Sequence, residues 1–113
     1  MQFEGFRICE GFLDDLKLQC KAHRSADSDL RAFLLKLLAN PNWRELGDPM
    51  GVFGGCELWK FRIGISGSNI GKSNGFRLMT STLKGEHWLQ YFYTHAEYPS
   101  QPPMAEILKR LPN

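Results

Sequence analysis

Residues 58–65 constrain the fold more than any other part of this sequence. Large apolar side chains alternate there with a more polar set that contains Lys60 and Arg62. Because successive side chains of a β-strand point to opposite faces, this strict alternation predicts a strand with one buried face. Lys60 and Arg62 then lie side by side on the opposite face. The side chains expected in the core are Trp59, Phe61, Ile63 and Ile65.

Two helices are predicted before this strand: one over residues 12–23, and a second whose apolar stripe runs over residues 30–38. In both, apolar residues recur at intervals of three and four, which is the spacing of an amphipathic helix. Asp27 or Ser25 is the expected N-cap of the second helix, and Pro41 ends it. We expect the two helices to form an antiparallel hairpin joined around Ser25. The side chains expected on the buried faces are Leu13, Leu16 and Cys20 in the first helix, and Leu30, Phe33, Leu34, Leu37 and Leu38 in the second.

Short strands and turns account for most of the remaining chain. Residues 3–8 are predicted to form a short first strand, residues 41–55 a loop, and residues 76–83 and 87–95 two further strands. The short connections between the last three strands favour an antiparallel meander. Pro102 and Pro103 then open a last helix. The sequence therefore predicts one α+β domain that covers residues 1–113.

Composition excludes several classes of protein. Hydrophobic residues make up 42% of the chain and charged residues 23%, which is typical of a globular domain and argues against disorder. No apolar run approaches the roughly 20 residues needed to span a bilayer. The first ten residues carry three charges and no apolar block, so we expect no signal peptide and a cytoplasmic location. The three cysteines are widely spaced and form no C-x-x-C pair, so we expect reduced thiols in or near the core, with no metal site and no cofactor.

Positive charge is concentrated in residues 58–85. The chain up to Glu57 has nine acidic and seven basic residues, whereas residues 58–85 have five basic residues and no acidic one. Such an asymmetry indicates an anionic partner more strongly than the net charge of +2 does. The alternative is a solvated polar face that keeps the sheet soluble. The five basic residues are Lys60, Arg62, Lys72, Arg77 and Lys84.

The segment Gly71-Lys72-Ser73 looks like the end of a phosphate-binding P-loop, but its register excludes that motif. A P-loop needs a glycine five residues before its second glycine, and Ser66 occupies that position. We therefore exclude nucleotide hydrolysis. Residues 66–75 are expected to form a flexible loop that brings Lys72 near a phosphate.

His95, at the end of the last predicted strand, is a candidate general acid or base near neutral pH. Tyr93 and Tyr98 lie close to it in sequence and are candidates to stack on a nucleic-acid base or to donate a hydrogen bond. The alternative is that the tyrosines pack against the core and that His95 has no chemical role.

Residues 58–63, 71–77 and 89–97 together resemble the RelE/ParE superfamily of toxins, and its HigB-like branch in particular. The features that carry the resemblance are a K-x-R strand, a G-K-x-x-G-x-R loop and strand, and an apolar strand rich in tyrosine. The resemblance implies two N-terminal helices packed on a curved antiparallel sheet of three to four strands, with a short C-terminal helix. It also implies the toxin of a type II toxin–antitoxin pair, which cleaves mRNA on the ribosome without a metal and so inhibits translation.

The resemblance assigns roles to individual residues. Lys60, Arg62 and Arg77 match the basic positions of the catalytic face, and His95 matches a position where related toxins carry lysine or a catalytic histidine. Two features depart from the pattern: the last strand lacks the arginine of the type member, and the region after residue 98 is rich in proline instead of charge. The residues expected to bind RNA are Lys72, Lys84, Tyr93 and Tyr98.

The expected partners are a cognate antitoxin with an acidic or amphipathic segment, mRNA and the ribosome. Two alternatives remain open from the sequence. One is a gyrase-directed toxin of the same fold, which the retained cations disfavour. The other is a non-catalytic module that binds only RNA or an antitoxin.

Overall fold

Residues 2–112, described in a computed structural model, form three α-helices packed on a five-stranded mixed sheet. The α+β class and the two N-terminal helices are confirmed, whereas the expected count of three to four strands is wrong. The helices are α1 (Phe12–Ala22), α2 (Ala26–Ala39) and α3 (Met104–Lys109). The strands are β1 (Arg7–Ile8), β2 (Asp48–Phe53), β3 (Cys56–Ile63), β4 (Phe76–Leu83) and β5 (Glu86–Thr94).

The strand order across the sheet is β1-β5-β4-β3-β2. The antiparallel meander of β3, β4 and β5 is confirmed, because each of these strands pairs with its neighbour in sequence. The short strand β1 pairs with β5 in parallel, and this pairing makes the sheet mixed. β1 covers only the last two residues of the strand predicted over residues 3–8.

The additional strand, β2, lies in the region predicted to be a loop. Residues 41–55 contain a 3-10 turn (Trp43–Leu46) followed by β2, which pairs antiparallel with β3. Proline and glycine in this stretch argue against a central strand, but β2 is an edge strand, where a missing N–H need not leave a neighbour unpaired. The register shifts between Pro49 and Gly51, and Gly51 adopts a positive φ of 114°. Tertiary pairing thus overrides the local preference for a loop.

Both N-terminal helices pack on one face of the sheet. That face carries Trp59, Phe61, Ile63 and Ile65, all of them buried as predicted. Ser25 is the N-cap of α2, which settles the choice between Ser25 and Asp27. The buried helical side chains are Phe12, Leu16 and Gln19 in α1, and Ala26, Leu30, Leu34 and Leu37 in α2.

Three predicted core residues are exposed. Leu13 and Leu38 are 41% and 47% exposed, and Cys20 is exposed as well. The apolar stripe of each helix is wider than the strip that the sheet covers, so residues at its margin remain in contact with solvent. The prediction that all three cysteines lie in or near the core is therefore wrong for Cys20.

The opposite face of the sheet is also covered in part. Leu58, Met79, Tyr91 and Tyr93 are buried there beneath Ile107 of α3. Lys60 and Arg62 lie on the same face of β3 as Leu58 and reach the part that α3 does not cover. Among the described residues, no helix is long and apolar enough to cross a membrane.

Candidate nucleic-acid interface

The strand register places three predicted cations on one face of the sheet. Arg62 of β3 lies opposite Arg77 of β4, and Lys60 lies opposite Met79. Directly opposed residues of antiparallel strands share a face, so Lys60, Arg62 and Arg77 lie on the same face of the sheet. Like charges directly opposite one another are destabilising. The Arg62–Arg77 pair therefore contributes nothing favourable to the stability of the sheet unless other groups neutralise it.

The charge of Arg77 is stabilised by carbonyl oxygens of the loop that precedes its own strand and of the first residue of that strand. Its guanidinium donates hydrogen bonds to the carbonyl oxygens of Lys72 (2.8 Å), Ser73 (2.7 Å) and Phe76 (3.3 Å). The residue is only 5% exposed. Burial, followed by the nearby charge of Arg62, lowers the pKa of Arg77 below its usual range. In this geometry Arg77 holds the Lys72–Asn74 turn in place and adds charge to the site from below its surface.

Lys60 and Arg62 reach solvent. Arg62 lies 3.8 Å from the Asp48 carboxylate, and the two side chains are 55% and 58% exposed. An ion pair this long and this exposed is worth roughly 0–1 kcal/mol, so a phosphate can displace it. Lys60 Nζ donates to the carbonyl oxygen of Ser100 at 3.3 Å, which leaves its remaining N–H groups free for an anion.

A cleft of about 300 Å³ opens at the edge of β3, beside the start of β2. We call it the basic cleft. Gly47 closes one side of it, where an added Cβ would lie 2.5 Å from the Phe61 ring and 2.9 Å from the Lys60 carbonyl oxygen. Only glycine allows the chain to approach β3 so closely. The lining residues are Phe33, Lys36, Glu45, Leu46, Gly47, Asp48, Lys60, Arg62 and Lys72.

The basic cleft thus unites three predicted cations with residues that the sequence did not indicate. Lys60, Arg62 and Lys72 were predicted to bind a polyanion, whereas Lys36 of α2 was not. Lys36 lies among residues whose only sequence signal is helical periodicity. Asp48 lies in the region predicted to be a loop. Four basic side chains and the carboxylates of Glu45 and Asp48 line the cleft, so its excess of positive charge suits an anion.

Lys84 lies far from this cleft. It occupies the β4–β5 turn, with a positive φ of 50°, at the opposite end of β4 from Arg77. Seven residues of strand at about 3.3 Å each separate the two backbones by about 23 Å. The structure therefore does not bring Lys84 together with the other predicted RNA-binding residues.

His95 follows β5 at the same end of the sheet as Arg77. Its backbone N–H donates to the carbonyl oxygen of Gly75 at 3.0 Å, next to the Lys72–Asn74 turn. Two strand spacings of about 4.8 Å place it about 10 Å across the sheet from β3. The Glu97 carboxylate fixes the turn by accepting hydrogen bonds from Thr94 N and Oγ1 and from Gln19 Nε2. The His95 Nδ1 atom is buried, with no hydrogen-bond partner among the described residues.

Tyr93 and Tyr98 pack against each other at a right angle, with ring centroids 5.6 Å apart. Tyr93 is fully buried, so its ring offers no face to a base in this structure. Burial raises the pKa of Tyr93 to about 12, which keeps the hydroxyl protonated at neutral pH. Tyr98 is half-buried and is the tyrosine of the two that solvent reaches.

Comparisons of the chain with models of known families, with curated proteins and with solved structures give no match. Function must therefore be inferred from the basic cleft itself. Within residues 2–112, no group of three His, Cys, Asp or Glu side chains could hold a metal ion. The basic cleft presents four solvent-accessible cations with Arg77 buried behind them, whereas His95 is not among its lining residues.

Proposed function

We propose that this chain is a toxin of RelE/ParE type that binds RNA in the basic cleft and cleaves it. The observation that carries the proposal is the gathering of Lys36, Lys60, Arg62 and Lys72 on one open cleft. Single-stranded RNA offers a phosphate at every nucleotide, and lysine and arginine are the side chains that neutralise it. The order of elements, with two helices followed by an antiparallel meander, agrees with the order that the resemblance implies.

The reaction uses a nucleophile that RNA itself supplies. The 2′-oxygen attacks the adjacent phosphorus, a new P–O bond forms, and the bond to the 5′-oxygen breaks, which leaves a 2′,3′-cyclic phosphate and a 5′-hydroxyl. Lys60 and Arg62 stabilise the negative charge that develops on the phosphoryl oxygens. His95 takes the proton from the 2′-hydroxyl or delivers one to the leaving 5′-oxygen. Arg77 acts as a positioning residue through the Lys72–Asn74 turn.

The proposed setting follows from the same resemblance. The toxin acts in the cytoplasm on mRNA held by the ribosome, and translation stops as a result. A cognate antitoxin neutralises it by covering the cleft with an acidic or amphipathic segment, since such a segment matches the excess positive charge there.

Induced expression tests the proposal directly. We expect wild-type protein to arrest growth and to produce new mRNA ends, which primer extension maps. The Lys60→Ala/Arg62→Ala double variant should lose both effects, because it removes the two cations that contact the scissile phosphate. Lys84→Asn is the matched control, because it also removes a positive charge, but at a residue whose backbone lies about 23 Å from that of Arg77. Asparagine tolerates the positive φ of this position. If the double variant cleaves as wild type does, the assignment of the cleft is wrong.

A second candidate, a module that binds RNA without cleaving it, is favoured by the burial of Arg77 and Tyr93. In this case purified protein with ribosomes and mRNA gives no new ends. Binding still weakens as salt rises, with a slope of about −0.7 per phosphate contact on single strands. The Lys60→Ala/Arg62→Ala variant should then reduce that slope by about 1.4 while Lys84→Asn leaves it unchanged. A gyrase-directed toxin would instead induce DNA-damage signalling with intact transcripts.

A further inference from the structure

The loop between β3 and β4 is fastened to helix α2 by the carboxylate of Asp29. Its Oδ1 atom accepts a hydrogen bond from Ser66 Oγ at 2.6 Å, and its Oδ2 atom accepts one from the Ser66 backbone N–H at 3.0 Å. Ser25 Oγ donates to Asp29 Oδ2 at 2.7 Å and accepts from the Gly67 backbone N–H at 2.9 Å. We call these four hydrogen bonds the Asp29 clasp.

The clasp ties together two parts of the chain that both contribute to the basic cleft. Asp29, Phe33 and Lys36 stand at positions i, i+4 and i+7 of α2, so they follow one face of that helix. Phe33 and Lys36 line the cleft, and so does Lys72 of the loop. Asp29 therefore links the helix that carries one cation of the cleft to the loop that carries another.

The restraint at the start of the loop extends toward Lys72. Ile65 and Ile70 exchange two backbone hydrogen bonds, at 2.8 and 3.1 Å, which close the residues between them into a compact turn. Ile70 lies two residues before Lys72. Arg77 bonds the carbonyl oxygen of Lys72 itself. The loop is thus anchored before Lys72 by the clasp and at Lys72 by Arg77.

We propose that Asp29 is a positioning residue for the basic cleft, which holds the loop against α2 and so keeps Lys72 in place among the other cations. This inference rests on the proposed RNA binding. The sign of its effect is diagnostic. A carboxylate repels a polyanion, so removal of the Asp29 charge by itself tightens RNA binding, whereas loss of a positioning residue weakens it.

Two matched variants test that sign. Asp29→Asn removes the charge and one of the two acceptor oxygens of the clasp. Asp27→Asn removes the same charge from the same first turn of α2, but the Asp27 carboxylate bonds to Arg31 on its own helix. With a short oligouridylate as the probe and fluorescence anisotropy as the readout, Asp29→Asn should weaken binding about threefold, whereas Asp27→Asn should leave it unchanged or slightly tighter.

Ser66 offers a test that changes no charge. Ser66→Ala removes the hydroxyl that donates to Asp29, and Ser66→Thr keeps a hydroxyl at the same position. Ser66→Ala should weaken binding of the oligouridylate about twofold, and Ser66→Thr should retain the affinity of wild type.

A double-mutant cycle identifies the residue that the clasp positions. If Asp29 acts through Lys72, Asp29→Asn should weaken binding in the wild-type chain and should not weaken it further in Lys72→Ala. Amide hydrogen exchange reports on the clasp without RNA. In Asp29→Asn the amides of Ser66 and Gly67 should exchange about tenfold faster, while the core amides of β4 keep their protection and show that the fold is intact.

The outcomes distinguish this inference from the proposed function. If wild-type protein binds no RNA, the proposed function fails and this inference fails with it. If wild-type protein binds RNA and Asp29→Asn binds it equally or more tightly, only the role of Asp29 is overturned. The same holds if Asp29→Asn weakens binding to the same extent in Lys72→Ala, or if exchange at Ser66 and Gly67 is unchanged.

Discussion

Replacing Arg77 by alanine should destabilise the fold, and this outcome separates a structural role from a catalytic one. The guanidinium makes two short hydrogen bonds, to the carbonyl oxygens of Lys72 and Ser73, and a longer one to Phe76. A hydrogen bond that involves a charged group contributes about 1.5–3 kcal/mol to stability, so the two short bonds contribute about 3–6 kcal/mol. Relief of the repulsion from Arg62, directly opposite, returns up to about 1 kcal/mol. We expect a net loss of about 3 kcal/mol in the free energy of unfolding.

Urea denaturation followed by tryptophan fluorescence measures this loss. With a slope of about 2 kcal/mol per molar urea, the midpoint should fall by about 1.5 M. Arg62→Ala is the matched control, because Arg62 lies opposite Arg77 on the same face but makes only the long, exposed contact with Asp48. Its loss of the Asp48 contact and its relief of the repulsion from Arg77 oppose each other, so it should change stability by less than about 1 kcal/mol in either direction while it weakens RNA binding.

Amide hydrogen exchange adds a local readout. In Arg77→Ala the amides of Asn74 and Gly75, which close the Lys72–Asn74 turn, should exchange faster relative to the core of β4. The structural assignment of Arg77 would be refuted by a variant with wild-type stability and wild-type exchange that nevertheless loses RNA cleavage. That result would mean that the guanidinium contacts the phosphate itself.

Three further predictions follow from groups outside the cleft. Asp15→Asn should lower the free energy of unfolding by about 3 kcal/mol, because the Asp15 carboxylate pairs with Arg110 at 2.5 and 3.2 Å in a site that is mostly buried. An unchanged midpoint in chemical denaturation would contradict this. Burial raises the pKa of Tyr93 from 10.0 to about 12, so this tyrosine ionises at lower pH in the unfolded chain than in the folded one, and stability should fall by up to about 2.7 kcal/mol as pH rises from 10 to 12. The Tyr93→Phe variant should lose less stability over that range. It should be no less stable than wild type at pH 7, since the Tyr93 hydroxyl has no partner in the described chain. A thiol reagent should modify Cys20 rapidly in the native protein and the two buried cysteines only after denaturation, and rapid modification of all three would show that the core opens.

The meander was predictable from the sequence for a local reason. Successive side chains of a strand point to opposite faces, so the alternation of apolar and polar residues over 58–65 is enough to predict a strand with one buried face. The strand over residues 76–83 therefore coincides with β4, and the predicted helices begin and end within a few residues of α1 and α2. That Lys60, Arg62 and Arg77 share one face of the sheet also follows from register once β3 and β4 pair.

The strand β2 and the accessibility of each cation were decided by tertiary structure. Residues 48–53 have the glycine and proline of a loop, and they form a strand because the open edge of β3 offers unpaired backbone groups to hydrogen-bond. That pairing brings Asp48 beside Arg62, and the fold of α2 brings Lys36 to the same cleft. Neither contact has a signature in local sequence, because both depend on residues far apart in the chain.

Residues 58–85 show most clearly which properties the sequence determines and which the tertiary structure determines. Their sequence alone determined that five cations and no carboxylate occupy one stretch of sheet and turn. Only the structure sorted them: Lys60, Arg62 and Lys72 line the basic cleft, Arg77 is buried beneath it, and Lys84 lies at the other end of β4. The physical reason is that charge is a property of each residue, whereas exposure and proximity are set by which strands and loops pack around it.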